Sequence, residues 1–192
     1  MRAKLALADR LTIEEFLDFA EARPSGEKWE LIEGVAIMQD TPTDYHQVIA
    51  GNIFAVLRSE KRRFRASWQP LLGVGTKVPI SPNSLPAPDV MVKELPLIGR
   101  SWTDDGLVLF EIWSRSNSKA DKRWRHRVYT SIPNCQHYVT VDQHTRDVVR
   151  HDRANGWVPA PALTGLDDAL DLPALGCALP LSEIYLDTPS GA

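Results

Sequence analysis

The stretch Leu107-Val-Leu-Phe-Glu-Ile-Trp113 decides how this chain folds. Its unbroken apolar run reads as a strand buried on both faces, since a strand with one wet face would alternate polar and apolar positions. Glu111 interrupts that run, and an ionised acid inside such a strand is costly unless something positive meets it. A second short extended run, Pro88-Asp-Val-Met-Val92, carries Asp89 at its start. If the two runs are neighbours in a sheet, the carboxylates of Asp89 and Glu111 converge. At about 4 Å and an effective dielectric near 20 their repulsion is roughly 4 kcal/mol. A divalent cation turns that penalty into attraction, and hard oxygen donors of this kind suit Mg²⁺ or Mn²⁺. Such an ion polarises a phosphate and lowers the pKa of bound water, the two requirements of phosphodiester hydrolysis. The plainer reading is that each acid pairs with a cation such as Arg115 or Lys122 and does no chemistry.

Working outward, Thr12-Ile-Glu-Glu15 has the form of a capping box, followed by Ile13, Phe16, Leu17 and Ala20 at helical spacing up to Pro24. Trp29–Met38 reads as two extended runs meeting at the tight-turn pair Glu33-Gly34, so Glu30 is a third carboxylate able to approach from a hairpin. Asp44 is the expected cap of a long helix with Val48 or Ile49, Ile53, Phe54 and Leu57 as its apolar stripe. Further extended segments are expected near 71–79 and 87–93, and a helix from Asn117 or Ser118 to about Thr130 packs through Trp124, Val128 and Tyr129. A strand pair follows at Gln136–Asp142 and Asp147–His151, Trp157 falls in another strand, and a short helix lies near Leu181–Tyr185. The order of helices and strands predicts a mixed α/β fold around one central sheet.

A chain of 192 residues supports one domain, with a core at about 26–152 and a C-terminal arm at 153–192. At this length no disulfides are needed, and the two cysteines, Cys135 and Cys177, are too few for a disulfide framework. No apolar run approaches the roughly 20 residues of a membrane helix. The apolar part of Met1–Asp9 is shorter than the roughly 7–15 residues of a signal-peptide core, so a cytoplasmic protein is expected. The net charge of −3 hides two concentrated basic segments: 58–65 and 115–127 hold eleven of the 22 Lys and Arg residues. Such segments can grip a phosphate backbone or simply form solvated helix faces. Packing is the ordinary role for Trp102, Trp113 and Trp124, with base stacking the alternative. His137, His144 and His151 offer no metal geometry in strands and are expected at the surface or in hairpins.

The blocks Trp29-Glu-Leu-Ile-Glu-Gly34, His46 at a helix start, Pro88-Asp-Val-Met-Val92, Leu109-Phe-Glu-Ile-Trp-Ser-Arg-Ser116, His137-Tyr-Val-Thr-Val-Asp142 and Leu179-Pro-Leu-Ser-Glu-Ile-Tyr185 run in one order along nearly the whole chain. In that order they resemble the PD-(D/E)XK nuclease superfamily, and within it the bacterial restriction endonuclease family of the Uma type. The resemblance implies a restriction-endonuclease-like core, a mixed central β-sheet flanked by α-helices. It implies Asp89 and Glu111 as ligands of Mg²⁺ or Mn²⁺, the Ile112 carbonyl as a further ligand, Glu30 as an assisting acid and His46 near the site. The Lys of the motif would stand at Trp113. In this branch a Lys usually comes from the following helix instead, where this chain has Arg125, with Lys122 about one turn earlier on nearly the same face. Arg binds phosphoryl oxygens bidentately but does not surrender a proton at neutral pH.

Two readings of different class follow. One is a metal-dependent DNA endonuclease with little base specificity, in which Lys122 or Arg125 stabilises the transition-state charge; by analogy it would act as a homodimer, since cutting both strands calls for two sites. The other is a nuclease-fold module that binds nucleic acid or a protein partner without cutting. A purely structural oligomer is a third, weaker option.

Overall fold

The computed structural model describes residues 10–191, so the Met1–Asp9 stretch considered above lies outside the described residues. In chain order the elements are α1 (Ile13–Glu21), β1 (Trp29–Ile32), β2 (Val35–Met38), α2 (Asp44–Phe64), β3 (Trp68–Leu72), β4 (Gly75–Thr76), β5 (Val90–Glu94), β6 (Trp102–Thr103), β7 (Gly106–Trp113), α3 (Lys119–Tyr129), β8 (His137–Asp142), β9 (Val148–Asp152), β10 (Ala169–Leu172), β11 (Cys177–Pro180) and α4 (Leu181–Ile184). Five strands form the central sheet in the order β3-β5-β7-β8-β9. β7 occupies its middle, antiparallel to β5 and parallel to β8, and the outer pairs are antiparallel. The sheet is therefore mixed, as expected.

The apolar run of β7 is explained by what covers each face. Val108, Phe110 and Ile112 join Ile49, Ile53 and Leu57 of α2 in one buried cluster, which also takes in Leu170, Leu179 and Ile184 of the C-terminal arm. Leu109 and Trp113 point the other way, into a cluster with Met91, Val128, Tyr129 and Tyr138. By the two-residue period Glu111 belongs to this second face, beneath α3. A third cluster joins α1 to the hairpin through Ile13, Phe16, Leu31, Ala36 and Leu85.

Local signals act where they stand. Thr12 and Glu15 form the reciprocal capping box of α1. The β1–β2 turn has both Glu33 (φ 50) and Gly34 (φ 81) left-handed, the geometry of a two-residue hairpin loop, and a Cβ on Gly34 would meet that of Arg10 at 2.6 Å. Ser118 caps α3 by accepting from the Asp121 amide.

Three local expectations are corrected. Thr43, not Asp44, caps α2: its Oγ1 accepts from the His46 amide, while Asp44 occupies the first helical position. Trp157 is not in a strand but in a turn with φ 67, beside an isolated bridge between His151 and Pro159. His137 is neither exposed nor in a hairpin loop. It is buried, with Nδ1 2.6 Å from Asp152 Oδ1 and Nε2 accepting from the Ala174 amide. That acceptor role at Nε2 makes the ring a neutral imidazole with its proton on Nδ1.

The arm, β10, β11 and α4, packs on α2. Asn52 of α2 donates to the carbonyls of Ile184 (3.2 Å) and Leu186 (2.8 Å), and the Tyr185 hydroxyl donates to the Asp142 carbonyl at 3.0 Å. Because Phe110 is fully buried at the centre of this face, Phe110→Ala should cost about 3–5 kcal/mol. The expected result is a lower urea midpoint at unchanged slope; a midpoint within error of the parent would remove Phe110 from the core.

Candidate active site

Hairpin, sheet and helix meet at the end of β7. β1 delivers Glu30, the approach to β5 delivers Asp89, β7 delivers Glu111 and α3 delivers Arg125. Asp89 and Glu111 are brought together: Val90 pairs with Phe110 across the antiparallel ladder, and Asp89 Oδ2 accepts from the Ile112 amide at 2.8 Å. The Asp89 charge is one of those that push the Glu111 carboxyl upward.

Neither Arg115 nor Lys122 neutralises Glu111. Arg125 does, and it takes Glu30 as well. Its Nη1 donates to Glu111 Oε1 at 3.0 Å and to Glu30 Oε1 at 3.2 Å, and its Nη2 donates to Glu30 Oε2 at 2.6 Å. All three residues are closed to solvent, at 3% exposure for Glu30, 4% for Glu111 and 3% for Arg125. Tyr129, one helical turn beyond Arg125, adds its hydroxyl to Nη1 at 3.0 Å. Asp121, one turn before, lies 3.7 Å from Nε. Glu30 is held further by the Gln39 side-chain amide and the Ala87 backbone amide, each at 2.8 Å.

Burial pushes the Glu111 carboxyl upward; the Arg125 charge opposes this, and the charges of Asp89 and Glu30 add to it. Burial alone would ease the proton off Arg125, but the two carboxylates override it and hold the guanidinium charged. Asp89 is the open member of the group. Its side chain is 24% exposed, and its Oδ1 lies 3.2 Å from His46 Nε2. His46, which the sequence left as either a site residue or a structural hydrogen-bonder, thus contacts the acid directly.

Lys122 is not in this group. Its Nζ lies 5.2 Å from the centre of the Trp113 ring, and it lines a neighbouring cleft of about 560 Å³ with Arg123, His126, His151 and the acids Asp142 and Asp147. Trp113 is buried under it and Trp102 lies beneath Lys77, so both pack rather than offer a free stacking face. Tyr129 and Gln39 are the contributors the sequence reading missed. Tyr129 follows Arg125 by four residues, a spacing that puts both on one helix face. Gln39 is the diagonal neighbour of Glu30 once the hairpin register, Glu30 opposite Ile37, is known.

The donor set fits a hard dication. Asp89, Glu111 and the Ile112 carbonyl are all oxygen donors, and Arg125 serves Glu30, Glu111 and Asp121, so its charge is shared among several carboxylates. Among the described residues no three His, Cys, Asp or Glu side chains form a metal cage. Mg²⁺ does not ask for one, being held by one or two carboxylates with water and substrate phosphate completing its shell.

A mixed sheet with an acidic group at the end of its central strands defines a nuclease-like α/β fold. A crystal structure described as a putative nuclease belonging to DUF820, from Anabaena variabilis ATCC 29413, has this fold, with a TM-score of 0.72 at 16% identity over 91% of this chain and 97% of that one. The model of the Uma2 family, described as putative restriction endonucleases, matches residues 13–182, and the chain belongs to that family. No curated protein matches it. Among the described residues no helix is long and apolar enough to cross a membrane.

In the cleft, the His126 and His151 rings lie 4.8 Å apart, and burial lowers the pKa of each below its ordinary 6.5. Both are favoured neutral in the fold, whereas the unfolded chain takes up protons near that ordinary value. Their contribution to stability is therefore complete above about pH 6.5 and is lost as pH falls toward the depressed folded-state values. Comparing urea midpoints at neutral and mildly acid pH, His126→Gln/His151→Gln should show a smaller acid loss than the parent. Equal losses in the two proteins would contradict this.

Proposed function

We propose that the chain is a Mg²⁺- or Mn²⁺-dependent endonuclease that hydrolyses phosphodiester bonds in DNA. The observation that carries the reading is the meeting of Asp89 and Glu111 at the β5–β7 edge, with Asp89 partly open to solvent. Asp89, Glu111 and the Ile112 carbonyl would hold the ion. When bound, it polarises the scissile phosphate and lowers the pKa of an attacking water.

The remaining work falls to the chain. The Ile112 amide and His46 fix the Asp89 carboxylate, one oxygen each. Arg125 positions Glu30 and Glu111 and offsets their charge from beneath the site; with both its amino groups engaged and no proton to give at neutral pH, it acts neither as the general base nor at the substrate. Lys122 and Arg123, which share the adjoining cleft with Asp142 and Asp147, are the cations this reading assigns to the DNA backbone. Substrate recognition then rests on phosphates, so base specificity is low. Two copies of the chain would supply the two sites needed to cut a duplex.

The permanent protonation of Arg125 favours one other reading, a fold that binds DNA without cutting it. A single comparison separates them: supercoiled plasmid with Mn²⁺, the parent, and Asp89→Ala of matched stability. Nicking by the parent that falls at least about 100-fold in the variant, or about 2.7 kcal/mol in barrier, is the outcome expected. Retention of DNA without nicking by the parent would falsify the enzyme and leave the binding module. In DNA-binding titrations against salt, Lys122→Ala/Arg123→Ala should shallow the log–log slope by roughly 1–2, near 0.9 for each phosphate no longer neutralised. An unchanged slope would take both residues out of the interface.

A further inference from the structure

We infer that Arg125 is a resident counter-ion of the acidic site, one whose fixed positive charge a divalent cation must bind against, so that arginine and metal are thermodynamic competitors for the same carboxylates. The inference rests on reading Asp89 and Glu111 as the ion's ligands, and it concerns how strongly this chain's own residues hold such an ion.

The geometry is that of a filled site. The guanidinium spans both inner acids, with Nη1 at 3.0 Å from Glu111 and both amino groups on Glu30, at 3.2 and 2.6 Å. It is anchored from its own helix by the Tyr129 hydroxyl at 3.0 Å and flanked by Asp121 at 3.7 Å. A lysine would bring a compact point charge that can swing aside on its flexible stem; the planar fork bridges two acids in one fixed geometry and is held in one place. Arg125 and the two acids are all almost completely buried, so its charge is poorly screened by water.

Two consequences follow from reciprocity of linkage. In the parent a fixed cation already serves both inner acids, so the fold does not call on a metal to hold them, and a dication joining Asp89 and Glu111 binds weakly because a cation already sits on Glu111. If the guanidinium is removed, Glu30 and Glu111 are left buried without a counter-charge. The chain then becomes less stable, and a dication that replaces the missing charge binds tightly and restores it. The site thus passes from metal-independent folding toward metal-coupled folding on loss of one side chain.

The test uses the full chain and Mn²⁺ as the probe, with Arg125→Met, Arg125→Lys and Arg125→Met/Asp89→Ala beside the parent. Free Mn²⁺ is followed by its electron paramagnetic resonance signal and stability by thermal melting, in EDTA and across a Mn²⁺ titration. Arg125→Met should melt below the parent in EDTA, recover with Mn²⁺, and bind Mn²⁺ at least about 10-fold more tightly. Arg125→Lys should fall between the two, and adding Asp89→Ala should abolish the tighter binding. Equal Mn²⁺ affinity in the parent and a folded Arg125→Met, or an Arg125→Met that no Mn²⁺ concentration restores, overturns the inference. Tighter Mn²⁺ binding by Arg125→Met with no plasmid nicking by any of the proteins supports the competition and removes the nuclease reading. Nicking by the parent with equal affinities does the reverse.

Discussion

Burying two carboxylates against one guanidinium ties together parts of the chain that have no local reason to meet. Glu30 lies on a hairpin 95 positions before Arg125, and Glu111 on the central strand 14 before it. Each acid is nearly closed to solvent, and the guanidinium is the charge that meets both. In buried pairs of this kind, removing one partner typically costs about 3–5 kcal/mol, because the other charge is left unpaired. The hairpin, β7 and α3 are therefore held in register as much by this charge requirement as by apolar packing, and the position of Glu111 at the end of an otherwise apolar strand becomes intelligible.

The site that results is asymmetric. Its inner half, Glu30, Glu111 and Arg125, is closed to solvent and cross-linked by hydrogen bonds. Its outer half, Asp89 with His46, is partly exposed to solvent. Glu30 and Glu111 share the guanidinium, whereas Asp89 meets His46 and the Ile112 amide. Beside it runs the cleft lined by Lys122 and Arg123 together with Asp142 and Asp147.

Much of this was legible in one dimension. The doubly buried β7, the hairpin closing at Glu33-Gly34, the capping box of α1 and the Ser118 cap of α3 all depend on residues within a few positions of one another, and each appears where the pattern puts it. The candidate acids, Glu30, Asp89 and Glu111, were visible as charges in the wrong surroundings. Other assignments turned on distant neighbours. Thr43 rather than Asp44 caps α2, and its hydroxyl also donates to Gln143, a hundred residues away. His137 became a core residue because Asp152 and the Ala174 amide, both far along the chain, satisfy its two nitrogens. Trp157 left its expected strand for a left-handed turn that lies next to an isolated bridge.

The choice between Lys122 and Arg125 marks the boundary. Periodicity on a helix places both on nearly the same face, and propensity cannot tell which of two cations three residues apart will be drawn inward. Packing decides it: α3 settles on the sheet with Val128 and Tyr129 buried, and that orientation drives Arg125 between Glu30 and Glu111 while Lys122 is left over Trp113 in the cleft. Elements, turns and the list of candidate acids follow from short-range geometry, which the order of residues encodes directly. Which charge meets which carboxylate follows from the approach of distant segments in a medium of low dielectric, and only the folded chain brings those segments within range.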